Sequence, residues 1–158
     1  MFKVPLMTPI RTILHPTDFS AHSERAWELA CALAKTHGAR LVVLHVLEQP
    51  LTIHAGVMMS EPPPLPLAEE LKSLQERLQL IQAPNGTTEV QHQLLVGDTV
   101  TAILQIAREQ HCDLIVLGTH GRTGLSRVLL GSVAEKVLRK ADCPVLVVKS
   151  PLSETGKP

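Results

Sequence analysis

Short apolar runs alternate along the chain with longer segments whose apolar residues recur every three or four positions. The runs are Arg11–His15 (RTILH), Arg40–Leu47 (RLVVLHVL), Glu89–Val96 (EVQHQLLV), Asp113–Leu117 and Pro144–Lys149 (PVLVVK). Each has the length of a β-strand. RLVVLHVL is almost continuously apolar, as expected of a strand buried on both faces of a parallel sheet. EVQHQLLV is polar in its first half, which predicts an edge position. The intervening segments read as helices. The first follows PTDFS, is capped by Asp18 or Ser20, and ends at Gly38. Its apolar face is Ala26, Leu29, Ala30, Leu33 and Ala34. The second carries a stripe of Leu67, Leu71, Leu74, Leu78 and Ile81 and closes in a Pro84-Asn85-Gly86 turn. The third opens at Gly97-Asp98 with Val100, Ile103, Leu104 and Ala107 inward, and the last spans about Ser132 to Lys140.

Strands alternating with helices predict an α/β protein, a five-stranded parallel sheet with helices on both faces. A chain that winds outward through strands 1, 2 and 3 and returns to set strand 4 beside strand 1 has the order 3-2-1-4-5. Ligands of such sheets sit outside the carboxyl ends of the strands where the winding reverses, here between strands 1 and 4. The loops leaving those strands are PTDFS and GTHGRTGLSRVLLGS (Gly118–Ser132). Two segments fall outside the repeat. Gln49–Pro66 contains five prolines and reads as an irregular surface insertion. Residues 150–158 form a polar tail. The expected organisation is one domain over 1–158 with its core at about 11–149.

Composition narrows the partners. Fifteen basic residues balance fifteen acidic ones, and the chain has no Tyr, one Trp and two Phe. Neither an electrostatic footprint for nucleic acid or an anionic membrane nor a base-stacking platform is expected. No run reaches the roughly 18 apolar residues of a membrane span. Cys31, Cys112 and Cys143 are widely spaced, which fits structural thiols in a reducing compartment better than a disulfide framework or a zinc site. With no secretory pattern at MFKVPLMTPIRTIL, the expected location is the cytoplasm.

The loop Gly118–Ser132 carries the candidate chemistry. Glycines let the backbone take unusual conformations and let another molecule approach it closely. Successive exposed N–H groups make an anion nest, and a helix opening at Ser132 adds its own unpaired N–H groups. Arg122 and Arg127 add charge. Beside this phosphate cradle stands a purely structural account, in which Ser132 and Glu135 form an S-x-x-E capping box and the glycines only turn the chain. Neither the G-x-x-x-x-G-K-[ST] loop nor a G-x-G-x-x-G turn is present.

The spacing Gly118-x2-Gly121-x9-Gly131-Ser132, with ILHPTDFS, LVVLHV and CPVLVVK in that order around it, resembles the universal stress protein family from about Arg11 to Lys149. The resemblance implies the five-stranded Rossmann-like fold and, from its glycines, the ATP-binding branch. It implies ATP, or ADP or AMP, with or without Mg. By that resemblance Pro16, Thr17, Asp18, Val46 and Leu117 line the adenine and ribose side. Gly118, His120, Gly121, Arg122, Gly131, Ser132 and Val133 hold phosphates, mostly through backbone N–H groups. It also supports a homodimer through strand 144–149, whose short apolar edge invites pairing with a second copy.

Other candidates carry less. Asp18 accepts a hydrogen bond from ribose or adenine, reaches a metal, or simply caps a turn. His15, His45 and His120 do not converge at ligand spacing and read as hydrogen-bonded histidines. His111-Cys112-Asp113 are sequence neighbours at a helix–strand junction and receive no chemistry. No general base or arginine finger stands in the pattern, so hydrolysis is expected to be slow or absent. Three functions remain open: a nucleotide-dependent regulatory dimer, a slow metal-dependent ATPase or phosphate-transfer enzyme, and a ligand-free interaction module.

Overall fold

A computed structural model describes residues 9–48, 65–84, 86, 88–119 and 130–149. The strands are β1 (Thr12–Pro16), β2 (Arg40–Leu47), β3 (Val90–Val96), β4 (Leu114–Gly118) and β5 (Val145–Val148). The helices are α1 (Ala21–His37), α2 (Leu65–Gln79), α3 (Thr99–Glu109) and α4 (Ser132–Lys140). The sheet has the order β3-β2-β1-β4-β5, and every neighbouring pair is parallel. The expected fold and winding are therefore present, and β3 and β5 are the edges. The tail and nearly all of the proline-rich segment lie outside the described residues. Its last two residues, Leu65 and Pro66, belong to α2 rather than to a loop. Proline is tolerated in a helix's first turn because the N–H it lacks would have no intrahelical partner there.

Strand alternation sends successive side chains to opposite faces. Leu14, Val42, Leu44 and Ile115 pack under α3 and α4 with Ile103, Ile106 and Val137. Ile13, Leu41 and Val116 face α1. Each fully buried aliphatic side chain is worth roughly 1.5–3 kcal/mol of transfer free energy, so the two layers clamp the central strands from both sides. The α1 face differs from the expected stripe. Ala26, Ala30 and Ala34 are buried, but Leu29 is exposed and Ser23 and Cys31 are buried instead. Small residues let α1 lie close to β1 and β4, and a leucine at that contact would hold the helix away. Gly38 ends α1 at φ 65°, as its position predicted.

Candidate functional site

The turn after β1 is tied down almost atom by atom. Thr17 N–H donates to the Leu44 carbonyl at 2.8 Å, and the Thr17 carbonyl lies 2.7 Å from His45 Nδ1. The Thr17 hydroxyl bonds the buried Ser23 hydroxyl at 3.0 Å and accepts from Phe19 N–H at 3.0 Å. Ser20 caps α1 by accepting from Ser23 N–H, so of the two expected caps Ser20 fills the role. Asp18 orients that cap. Its Oδ1 accepts from the Ser20 N–H at 3.0 Å and from the Ser20 hydroxyl at 2.6 Å. Its Oδ2 is buried and has no hydrogen-bond partner among the described residues. A buried carboxylate oxygen without a donor is costly, and a ligand hydroxyl or amine would satisfy it.

Phe19 holds a left-handed backbone, φ 60°, which is uncommon for a bulky residue. Its ring meets two other groups. The His45 ring lies tilted at 4.5 Å between centroids, and the Arg77 guanidinium of α2 stands over the ring 4.1 Å from its centre. The stack joins the β1 turn, the end of β2 and α2. Nothing in the spacing of Phe19 and Arg77 announces this contact, because the residues come from elements far apart in the chain.

On the other side of the switch point, β4 ends at Gly118. An added Cβ there would lie 2.8 Å from the His22 backbone oxygen, so the glycine allows α1 to approach β4. Thr119 accepts from Gly131 N–H at 2.7 Å, which brings the start of α4 back to the end of β4. Gly131 is the N-cap, and as a glycine it brings no side-chain hydrogen bond to α4. The expected Ser132–Glu135 capping box is thus not formed. Ser132 is one residue too late, already inside the helix, and the Glu135 carboxylate meets Arg139 at 3.5 Å instead. The first N–H groups of α4 accordingly receive no cap from the N-cap residue, an arrangement that suits an incoming anion.

The structure thus gathers Pro16, Thr17 and Asp18 at the β1 end, Gly118 at the β4 end, and Gly131 and Ser132 at the α4 start. Val46 lies half-buried near the end of β2. Leu117 and Val133 do not stand free. Leu117 is buried in the core, and Val133 packs against it. His120, Gly121 and Arg122 lie outside the described residues. His15 and His45 each place a ring nitrogen against a backbone carbonyl. The His15 Nδ1 lies 2.9 Å from the Val116 carbonyl, and no metal-binding cluster occurs among the described residues. Asp113 is structural, with its carboxylate accepting from Arg11 and Thr12 N–H at 2.8 and 3.0 Å. No described helix is long and apolar enough to cross a membrane.

The sequence pattern of the universal stress protein family matches residues 9–149. A universal stress protein of Thermus aquaticus is 38% identical over 143 residues, covering 88% of this chain and 98% of its own. The solved structure of MJ0577, a universal stress protein of Methanocaldococcus jannaschii, is similar with a TM-score of 0.73 at 30% identity, covering 92% of this chain and 100% of the other. A universal stress protein solved in complex with cAMP is similar with a TM-score of 0.60 at 26% identity, covering 91% of this chain and 100% of its own.

Proposed function

The chain belongs to the universal stress protein family, and on that premise we propose that it binds an adenine nucleotide, ATP foremost, in the crevice between the ends of β1 and β4. The observation that carries this is the pairing of two unmet needs across one switch point. The buried Asp18 Oδ2 has no donor among the described residues, and the N-cap of α4 is a glycine, which brings no side-chain acceptor to the first N–H groups. A nucleotide offers both, with hydroxyl and amine donors at its nucleoside end and anionic oxygens at the other. Asp18 receives the sugar or base, with Pro16, Thr17 and Val46 around it, while the buried Leu117 supports that wall from behind. Gly118, His120, Gly121, Arg122, Gly131, Ser132 and Val133 receive the phosphates. The cAMP-bound relative supports the nucleotide class. The protein acts in the cytoplasm, and its output is a nucleotide-dependent conformation or contact. Any ATP hydrolysis is slow, and Mg accompanies the phosphates without a dedicated all-protein site.

Calorimetric titration with ATP and Mg of the parent beside Gly131→Val tests the reading. Gly131 sits at φ −60°, ψ 149°, extended backbone that valine adopts readily. The substitution therefore removes space rather than conformation. The expected result is saturable binding by the parent and at least a tenfold loss in the variant. A folded, ligand-free parent that binds no adenine nucleotide refutes the proposal and leaves the interaction module as the better account.

The proposed unit is a homodimer through strand 144–149. β5 is an edge strand, and Leu146 projects from it 36% exposed. Leu146→Lys would place a charge on that edge. Light scattering at micromolar concentration is expected to give a dimer mass for the parent and a monomer mass for the variant. A monomeric parent disposes of the dimer.

A further inference from the structure

Two of the three thiols meet at the end of the sheet opposite the crevice. Cys112 lies just before β4 and Cys143 just before β5. The ladder pairs Ile115 with Val145. Cys112 and Cys143 therefore stand just before two adjacent, paired strands. A disulfide needs Cα atoms about 4.4–6.8 Å apart, a separation that neighbouring strand starts bring within reach. The two side chains also share a face. Cys112 is buried in the core under α3 and α4, and Cys143 packs against that core. The Asp113 side chain turns to the start of β1 instead.

Both cysteines line one cavity of about 330 Å³. Leu104 and Ala107 share its lining, which also includes His111 and the 2.7 Å Arg108–Asp142 ion pair. The cavity gives a thiol room to change rotamer and gives a small molecule a way in. Cys31 has no such neighbour, because it is buried on the other face of the sheet.

We propose that Cys112 and Cys143 are a reversible redox pair, closed to an intrachain disulfide by a small-molecule disulfide oxidant. The half-buried Cys143 reacts first. Its thiolate attacks one sulfur of the oxidant, forming a mixed disulfide and releasing one small thiolate. The Cys112 thiolate then attacks the Cys143 sulfur and expels the second. The cysteine pair loses two electrons and two protons, and the oxidant gains both to become two thiols. Burial, and after it the neighbouring Cys143, push the Cys112 thiol up to about 12, and burial also raises Cys143. Thiolates are scarce at neutral pH, so closure is slow and answers sustained oxidation. The bond would tie the starts of β4 and β5 together and close a loop containing α4 and the whole glycine segment. The proposal stands whether or not the crevice binds a nucleotide.

The test is to equilibrate the full-length native protein with glutathione disulfide, then block free thiols, measure intact mass and map the peptides. Cys112→Ser, Cys143→Ser and Cys31→Ser are run in parallel, with circular dichroism confirming the fold of each. The expected parent product has lost two hydrogens, links the Cys112 and Cys143 peptides, leaves Cys31 free and is reversed by dithiothreitol. Cys31→Ser gives the same link. Cys112→Ser stops at a glutathione adduct on Cys143. Separate adducts on Cys112 and Cys143 in the folded parent, a link that forms only in urea, or an unreacted pair at equilibrium would each overturn the proposal.

Discussion

Replacing Gly118 by alanine is expected to lower stability by about 1–3 kcal/mol, the usual cost of forcing an extra carbon into a packed contact. Here the obstacle is specific. The new Cβ would lie 2.8 Å from the His22 oxygen and 3.0 Å from its carbonyl carbon. Both are backbone atoms, so no side-chain rotation relieves the contact, and either α1 or the end of β4 must move. α1 is held close by Ala26, Ala30 and Ala34, and its N-terminus is fixed by the Ser20 cap. A change of about 2–4 °C in melting temperature per kcal/mol suits a chain of this size. Thermal unfolding followed by circular dichroism reads the effect directly. An unchanged melting temperature would show that α1 rides on β4 loosely enough to absorb a methyl group. The family resemblance assigns Gly118 to a phosphate cradle, and the structure adds a close helix backbone beside it. The two roles are compatible, because the same substitution that shifts α1 also shifts the Asp18 turn at its start.

The second large effect is a loss of stability in mild acid caused by His15. The imidazole is fully buried, and desolvation lowers its pKa from 6.5 to about 4, against smaller raising effects from the Val116 carbonyl and Asp18. Below pH 6.5 the unfolded chain takes up a proton that the folded chain refuses. Stability therefore falls as pH drops through that range, and the loss is complete below the folded value of about 4. A shift of that size corresponds to roughly 3 kcal/mol. His15→Gln keeps a donor for Val116 and does not titrate. Urea unfolding between pH 6.5 and 4 should show the parent losing stability more steeply than this variant. Asp98, whose pKa is lowered chiefly by its side-chain and backbone hydrogen bonds with Thr101, loses its contribution only below the ordinary carboxylate value of 3.8 and so lies outside the window. Parallel curves for parent and variant would mean that water or local opening reaches His15 and protonates it in the folded state.

The periodicity of apolar residues by itself determined the element order, the parallel sheet and its two edges, because burial on one or both faces writes a repeat of two or of three to four into any chain that folds this way. Gly38 and Asp98 marked their helix ends for an equally local reason, left-handed backbone in one case and a side-chain cap in the other. The switch point between β1 and β4 followed from that order. What the sequence could not decide was how residues distant in the chain share space. Ser132 and Glu135 match a capping box by spacing, yet the hydrogen bond from Gly131 to Thr119 accompanies a helix start one residue earlier, with a glycine at the N-cap. Leu29 matches the helical stripe, yet close packing of α1 on the sheet selects alanines and turns the leucine outward. The contacts of Phe19 with His45 and Arg77, the orphaned oxygen of Asp18 and the meeting of Cys112 with Cys143 all depend on elements brought together by the fold. Local pattern records which side of an element is buried, and only tertiary packing decides what it is buried against.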